Sequence, residues 1–195
     1  MFERKVYMEQ SQLLSAIKTR MPEKRYQHTL GVMKTAVILA ERFGEDVKRA
    51  ETAAILHDIA KYEDEAKMEK LIREYQLDYR VLGWGSELLH GPIGALYAEK
   101  EFGIKDKDIL HAIHYHTTGR AGMSPLEKII FIADMIEPSR KFEGVERLRK
   151  KAEKDLNKAM SACIRHSLQF LIDTKQPIFP LSLACYNDLM NGENA

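Results

Sequence analysis

His28, the adjacent pair His57-Asp58, His90, His116 and Asp134 are the residues of this chain whose types suit metal chemistry. His57 and Asp58 close an apolar segment, Ala53-Ala54-Ile55-Leu56, that should bury the adjoining helix face. Burying a charge without compensation costs several kcal/mol or more, so an Asp beside a His there calls for ion pairing or metal ligation. Taken alone the dipeptide is weak evidence, since a surface Asp next to a hydrogen-bonded His accounts for most such pairs. Asp134 says more, because it sits between Ala133 and Met135 directly after Ile129-Ile130-Phe131-Ile132, on a segment with a buried character. Its plain reading is a paired structural carboxylate, and its chemical reading is a metal ligand. Imidazole and carboxylate together suit iron, manganese, zinc or cobalt better than calcium, for which an all-oxygen site is expected.

The elements that must position these groups are helices. Apolar residues recur at helical spacing nearly everywhere, and sustained period-2 alternation of β-branched residues is absent, so the fold class is all-α. Pro22 is placed as the first residue of a helix through Val32, Ala36 and Leu39 to a cap at Gly44. Asp46 begins another through Ala50, Ala53 and Leu56 to about Lys61. Charged residues from Glu63 to Arg73 predict a solvent-facing helix, and Gly83-Trp84-Gly85-Ser86 a loop leading into the segment of His90. A helix from about Pro92 to Phe102 and one from Asp106 to about Tyr115 follow. Ser124-Pro125-Leu126-Glu127 has the form of a capping box and should open a helix that ends near Glu137-Pro138. Residues from about Gly144 to Asp173, with a break, and from about Leu181 to Met190 complete the set.

A chain of 195 residues is the size of one domain. Thirty basic against 29 acidic residues give a net charge of +1, so no global field draws it to nucleic acid or to an anionic membrane, and neither is an expected partner. Two separated cysteines, Cys163 and Cys185, form no disulfide framework and suit a reducing compartment. Met1-Phe2-Glu3-Arg4-Lys5 lacks the apolar core of a signal peptide, and no apolar run approaches the ~18 residues that cross a bilayer, so the expected location is the cytoplasm. From about Glu143 onward only amphipathic helices are visible. A wall of the substrate pocket and a homodimer contact are both open to them.

The order His28, His57-Asp58, Asp134 resembles the H, HD and D signature of the HD phosphohydrolase superfamily, and with His90 and His116 its two-metal branch. Five stretches are similar to the YqeK family of symmetrical diadenosine tetraphosphate hydrolases: Arg25-Tyr26-Gln27-His28, Leu56-His57-Asp58-Ile59-Ala60-Lys61, His90-Gly91-Pro92, His116-Thr117-Thr118-Gly119 and Ala133-Asp134-Met135-Ile136-Glu137-Pro138-Ser139-Arg140. Together they span about residues 20 to 140. The resemblance implies a single helical HD-domain bundle over residues 1–195, with a metal-binding core at about 20–140 and C-terminal helices at about 143–191 packed on it. It also implies cleavage of a dinucleoside tetraphosphate into two nucleoside diphosphates.

Carried over by position, His28, His57, Asp58 and Asp134 would hold one divalent ion, and His90 and His116 the other, with Asp58 bridging. Iron is the metal by resemblance, with manganese, cobalt and zinc open. Two such ions can share a hydroxide that attacks phosphorus and can offset phosphoryl charge. Asp58 and Lys61 are then the catalytic candidates. Arg25, Lys61 and Arg140 are candidates to neutralise phosphate, against an ordinary surface cation at each position. Thr117, Thr118 and Gly119 form a polar turn that could present hydroxyls and N–H groups to phosphate, or a plain loop. Glu137 could orient a ligand or pair with Arg140. His114 and His116 cannot both point the same way on a helix; the family pattern selects His116 and leaves His114, like His111 and His166, structural. Two other readings stand beside this one: another HD-type nucleotide phosphohydrolase, such as a nucleotidase or phosphodiesterase, and a nucleotide-binding sensor with a structural metal site.

Overall fold

Short polar side chains start half of the α-helices. Asp46, Asp64, Asp106, Ser124 and Asp155 each accept a hydrogen bond from a backbone N–H of the following turn, which satisfies donors that a helix start otherwise leaves unpaired. Ser124 and Glu127 close the reciprocal capping box expected of them. A computed structural model describes residues 9–193; the Met1-to-Lys5 stretch, read above as lacking a targeting signal, lies outside them. The helices are α1 (Gln10–Lys18), α2 (Glu23–Phe43), α3 (Val47–Leu56), α4 (Glu65–Glu74), α5 (Ser86–Lys100), α6 (Lys107–Tyr115), α7 (Pro125–Ile136), α8 (Val145–Ala152), α9 (Leu156–Asp173) and α10 (Pro180–Glu193), with a 3-10 turn at Tyr79–Val81. Among the described residues there is no strand, and the fold is all-α. No described helix is long and apolar enough to cross a membrane.

The helix boundaries correct the sequence reading in four places. Pro22 is the N-cap of α2 rather than its first residue. The segment after α3 stops being helical at His57 and continues to Lys61 as turns. α5 begins at Ser86, not at Pro92, and runs through the proline. Proline favours the first turn because it lacks an N–H, but the loss of one ladder bond is tolerated where packing holds the helix on both sides. Here Leu89 and Ile93, flanking Pro92, are completely buried. The fourth difference is α1, a helix the sequence reading did not name, which buries Leu13 and Ile17. Gly44, as expected, closes α2 in the left-handed conformation.

α2 packs against α3 and α7, and α6 against α5, α3 and α7. Buried side chains from Leu13 to Cys185 join in one apolar cluster. α5 and α6 approach closely at Gly91, where an added Cβ would collide with the backbone carbonyl oxygen of His114. That approach sets His90, one residue before, against His116 at the end of α6.

Candidate metal centre

Two of the candidate ligands are also helix C-caps. His57 ends α3 and His116 ends α6. A helix end leaves carbonyl oxygens without N–H partners, and each ring turns back to one: Nδ1 of His57 lies 2.6 Å from the carbonyl oxygen of Ala54, and Nδ1 of His116 lies 2.7 Å from that of Ile113. On α5, Nδ1 of His90 lies 3.1 Å from the carbonyl oxygen of Ser86. On α2, Nδ1 of His28 lies 3.0 Å from Oε1 of Glu137, at the end of α7. Carbonyl and carboxylate oxygens accept only, so Nδ1 of every one of these rings carries the proton. Each ring therefore turns its Nε2 to the centre; at His57 burial works against protonation, but the neighbouring Asp58 outweighs it and raises the ring.

The Nε2 atoms surround Asp58, which is buried. Its Oδ2 lies 3.2 Å from Nε2 of His57 and 3.9 Å from Nε2 of His28. Its Oδ1 lies 3.3 Å from Nε2 of His90 and 3.8 Å from Nε2 of His116. Asp134 completes the first group, with Oδ1 3.0 Å from Nε2 of His28. The carboxylate of Asp58 thus faces His28 and His57 with one oxygen, and His90 and His116 with the other. Ligand atoms of His28, His57 and Asp58, of His57, His116 and Asp134, and of Asp58, His90 and His116 form three sets, each within 4.8 Å of one another.

This arrangement fits divalent cations on its own physics. The Nε2 atoms of His28 and His57 are buried without a hydrogen-bond partner, a state that is costly unless something electron-poor lies against them. Nε2 of His90 and Nε2 of His116 stand 3.0 Å apart, both as acceptors once their Nδ1 atoms donate. Facing lone pairs at that distance repel unless a cation or a shared proton sits with them. Burial, together with His90 and His57, pushes His116 down to about 3, which keeps its lone pair free at neutral pH. Burial would raise Asp58, but His57, then His90 and His116, outweigh it and hold the carboxyl well below the usual range. Asp134 is likewise lowered against the effect of burial, by His28 and then by His57 and Arg140. Carboxylate oxygens and imidazole nitrogens together form the donor set that divalent transition metals take, and a bound cation would displace any proton from the Nε2 atoms.

The cations named from the sequence stand around this centre, paired with its carboxylates or their neighbours. Nη1 of Arg25 donates to Oδ2 of Asp58 at 2.9 Å, and Arg140 donates to the carbonyl oxygen of Asp134 at 2.8 Å and to its Oδ1. Lys61 pairs with Glu87 at 2.7 Å. In the polar turn, the Thr117 hydroxyl lies 3.1 Å from Nε2 of His116. The Thr118 hydroxyl donates to the carbonyl oxygen of Gly119, and the Gly119 N–H donates to that of Tyr115, so both donors are already engaged. Glu137 does both things weighed for it: it accepts from His28, and it lies 3.9 Å from Nε of Arg140. It also accepts from the backbone N–H of Ser139 at 2.7 Å and from its hydroxyl, which hold it below its ordinary value despite burial.

The remaining histidines lie elsewhere. The His114 ring packs on Tyr115, with centroids 4.2 Å apart, and burial pushes it down to about 4. His111 lies near the same tyrosine, and His166 stacks on Phe142. Sequence reasoning missed Arg149, which bonds the backbone of the loop carrying Glu137 and Arg140; no local pattern marks a cation whose partners are carbonyls of another helix.

The model of the HD domain family matches residues 25–139, a span that contains every candidate ligand. A protein of Halalkalibacterium halodurans named symmetrical bis(5'-nucleosyl)-tetraphosphatase is 50% identical over 183 residues, covering 94% of this chain and 98% of that protein. A Bacillus subtilis protein of the same name is 46% identical, covering 95% of this chain and all of that one. Among solved structures, one described as a predicted HD superfamily hydrolase involved in NAD metabolism, from Clostridium acetobutylicum, superposes with a TM-score of 0.90 at 40% identity. It covers 96% of this chain and 100% of that one. With the H, HD and D residues gathered around one buried carboxylate and near-full-length relatives on either side, this chain belongs to the HD domain family.

Proposed function

We propose that this chain is a divalent-metal-dependent hydrolase that splits diadenosine tetraphosphate, and related dinucleoside polyphosphates, symmetrically into two nucleoside diphosphates. The observation that carries the reading is the carboxylate of Asp58, whose oxygens face two separate groups of inward-pointing Nε2 atoms. The substrate follows from near-full-length relatives that bear the name of that activity.

His28, His57, Asp58 and Asp134 would hold one ion, and His90 and His116, with Asp58 between, the other. Iron is the proposed metal, with manganese, cobalt or zinc also suited to the donor set. When bound, such ions lower the pKa of water and offset charge on phosphoryl oxygens. The chain's own residues do the rest. The carbonyls of Ala54, Ser86 and Ile113 and the carboxylate of Glu137 keep the Nε2 lone pairs turned inward. Arg25 and Arg140 offer planar guanidinium forks at two sides of the centre for the phosphate chain, and Lys61 and Thr117 add a point charge and a hydroxyl. Cleavage between equivalent phosphates then follows from where that chain is held, not from recognition of one base.

We read the chain as one domain, supported by the apolar cluster that joins its described helices, and as cytoplasmic, supported by two buried unpaired cysteines. The test is to incubate the metal-loaded protein with diadenosine tetraphosphate and resolve the products by ion exchange. Two equivalents of ADP are expected. AMP with ATP would move the attacked phosphorus, and retention of the nucleotide without turnover would favour a sensor.

A further inference from the structure

α8 lies in the C-terminal part of the chain, beyond the matched family span, and carries none of the candidate ligands. Its Arg149 nevertheless reaches back to the segment after α7. Nε donates to the carbonyl oxygen of Ile136 at 2.9 Å, and Nη2 donates to those of Glu137 at 2.8 Å and Arg140 at 3.2 Å. Ile136 is the last residue of α7 and Glu137 its C-cap, so these carbonyls include ones that a helix end leaves without N–H partners. A guanidinium placed there satisfies them and favours the negative end of the helix dipole. Glu146, one turn earlier on α8, pairs with Nη1 from the exposed side.

The segment so held has two working side chains. Glu137 accepts a hydrogen bond from Nδ1 of His28, and Arg140 holds Asp134 through its carbonyl and carboxylate. We propose that Arg149 is a positioning residue for the metal centre: by clamping three carbonyls of residues 136–140, it fixes Glu137 on His28 and Arg140 on Asp134. Lysine replaces it only in part, because an ammonium is a point donor and cannot span all the carbonyls set along a turn. The inference rests on the metal reading given above.

The experiment compares Arg149→Met, Arg149→Lys and, as a control on the same helix, the exposed Arg147→Met. Metal affinity is read by competition with a chromophoric chelator, alongside helicity by circular dichroism, melting temperature, and KM and kcat for diadenosine tetraphosphate. Arg149→Met should keep its helicity, bind metal about 10-fold more weakly and show a raised KM, since supporting partners of ligands typically carry 10- to 100-fold of affinity or activity. Arg149→Lys should fall between it and the wild type, and Arg147→Met should match the wild type. A folded Arg149→Met with wild-type metal affinity and KM, altered only in melting temperature, overturns the proposal. If the methionine variant does not fold, Arg149→Lys decides in the same way. A wild-type protein that takes up no metal would instead sink the metal reading itself.

Discussion

Oε1 of Glu137 lies 3.0 Å from Nδ1 of His28, and that contact decides which nitrogen of His28 faces Asp58 and Asp134. The other rings of the cluster use backbone carbonyls for the same task, so His28 alone depends on a replaceable side chain. Glu137→Ala should therefore weaken metal binding by about 10- to 100-fold with the helices intact. Glu137→Gln, whose amide oxygen can still accept from Nδ1, should lose less. Chelator competition measures both, and wild-type affinity in the alanine variant would show that the contact is idle.

Gly31, on α2 one turn after His28, gives Glu137 its room. A Cβ there would stand 2.5 Å from Oε2 of Glu137. Inside a helix, alanine is ordinarily more favourable than glycine by about 1 kcal/mol. Gly31→Ala should do the opposite of that expectation, displacing the carboxylate and lowering metal affinity. Because both changes act through one contact, the Gly31→Ala/Glu137→Ala pair should be little worse than Glu137→Ala alone. Additive losses in the double variant would mean that Gly31 matters for some other reason.

Asp58 should be the least replaceable residue. Its oxygens face separate groups of imidazoles, so Asp58→Ala removes the element common to both. Turnover should fall by several orders of magnitude while the far-ultraviolet circular dichroism stays helical. Near-normal turnover would rule out the two-ion arrangement.

How much of this was legible in the sequence depends on how local each cause is. The Asp46 cap, the Ser124-Glu127 box and Gly44 act within one turn of themselves, and they lie where the sequence marks them. The residues gathered around Asp58 were legible because carboxylates and imidazoles amid Ala-Ile-Leu runs need partners. α1 was not, since Leu13 and Ile17, one turn apart, are its only fully buried side chains, too short a stretch for periodicity. Pro92 misled because its propensity was overridden by packing at Leu89 and Ile93. Arg149 acts on carbonyls 9 to 13 positions away, and nothing in its own neighbourhood announces that.

The cysteines supply a prediction about inertness. Burial pushes the Cys163 thiol up to about 12 and the Cys185 thiol up to about 11. A thiolate is the reactive form, so at pH 8 both groups remain thiols in the folded protein. A chromogenic disulfide reagent at that pH should label neither until the protein is unfolded, when both should react. Fast labelling of native protein, with loss of activity, would contradict the burial of these side chains.

His114 and His116 lie two positions apart and face different surroundings. His116 meets His90 and Asp58, whereas His114 packs on Tyr115 and feels Asp78, His111 and Arg120. His116→Ala would remove a ligand and leave Nε2 of His90 and Oδ1 of Asp58 without their companion, so bound metal should fall from two equivalents toward one and turnover should collapse. His114→Ala leaves in place the backbone carbonyl that abuts Gly91, and hence the approach of α5 to α6. It should retain both equivalents of metal and most of the turnover, with its cost confined to packing around Tyr115 and read as a lower melting temperature. Metal analysis beside steady-state kinetics separates the two variants, and the reverse order of severity would reassign the ligand to His114.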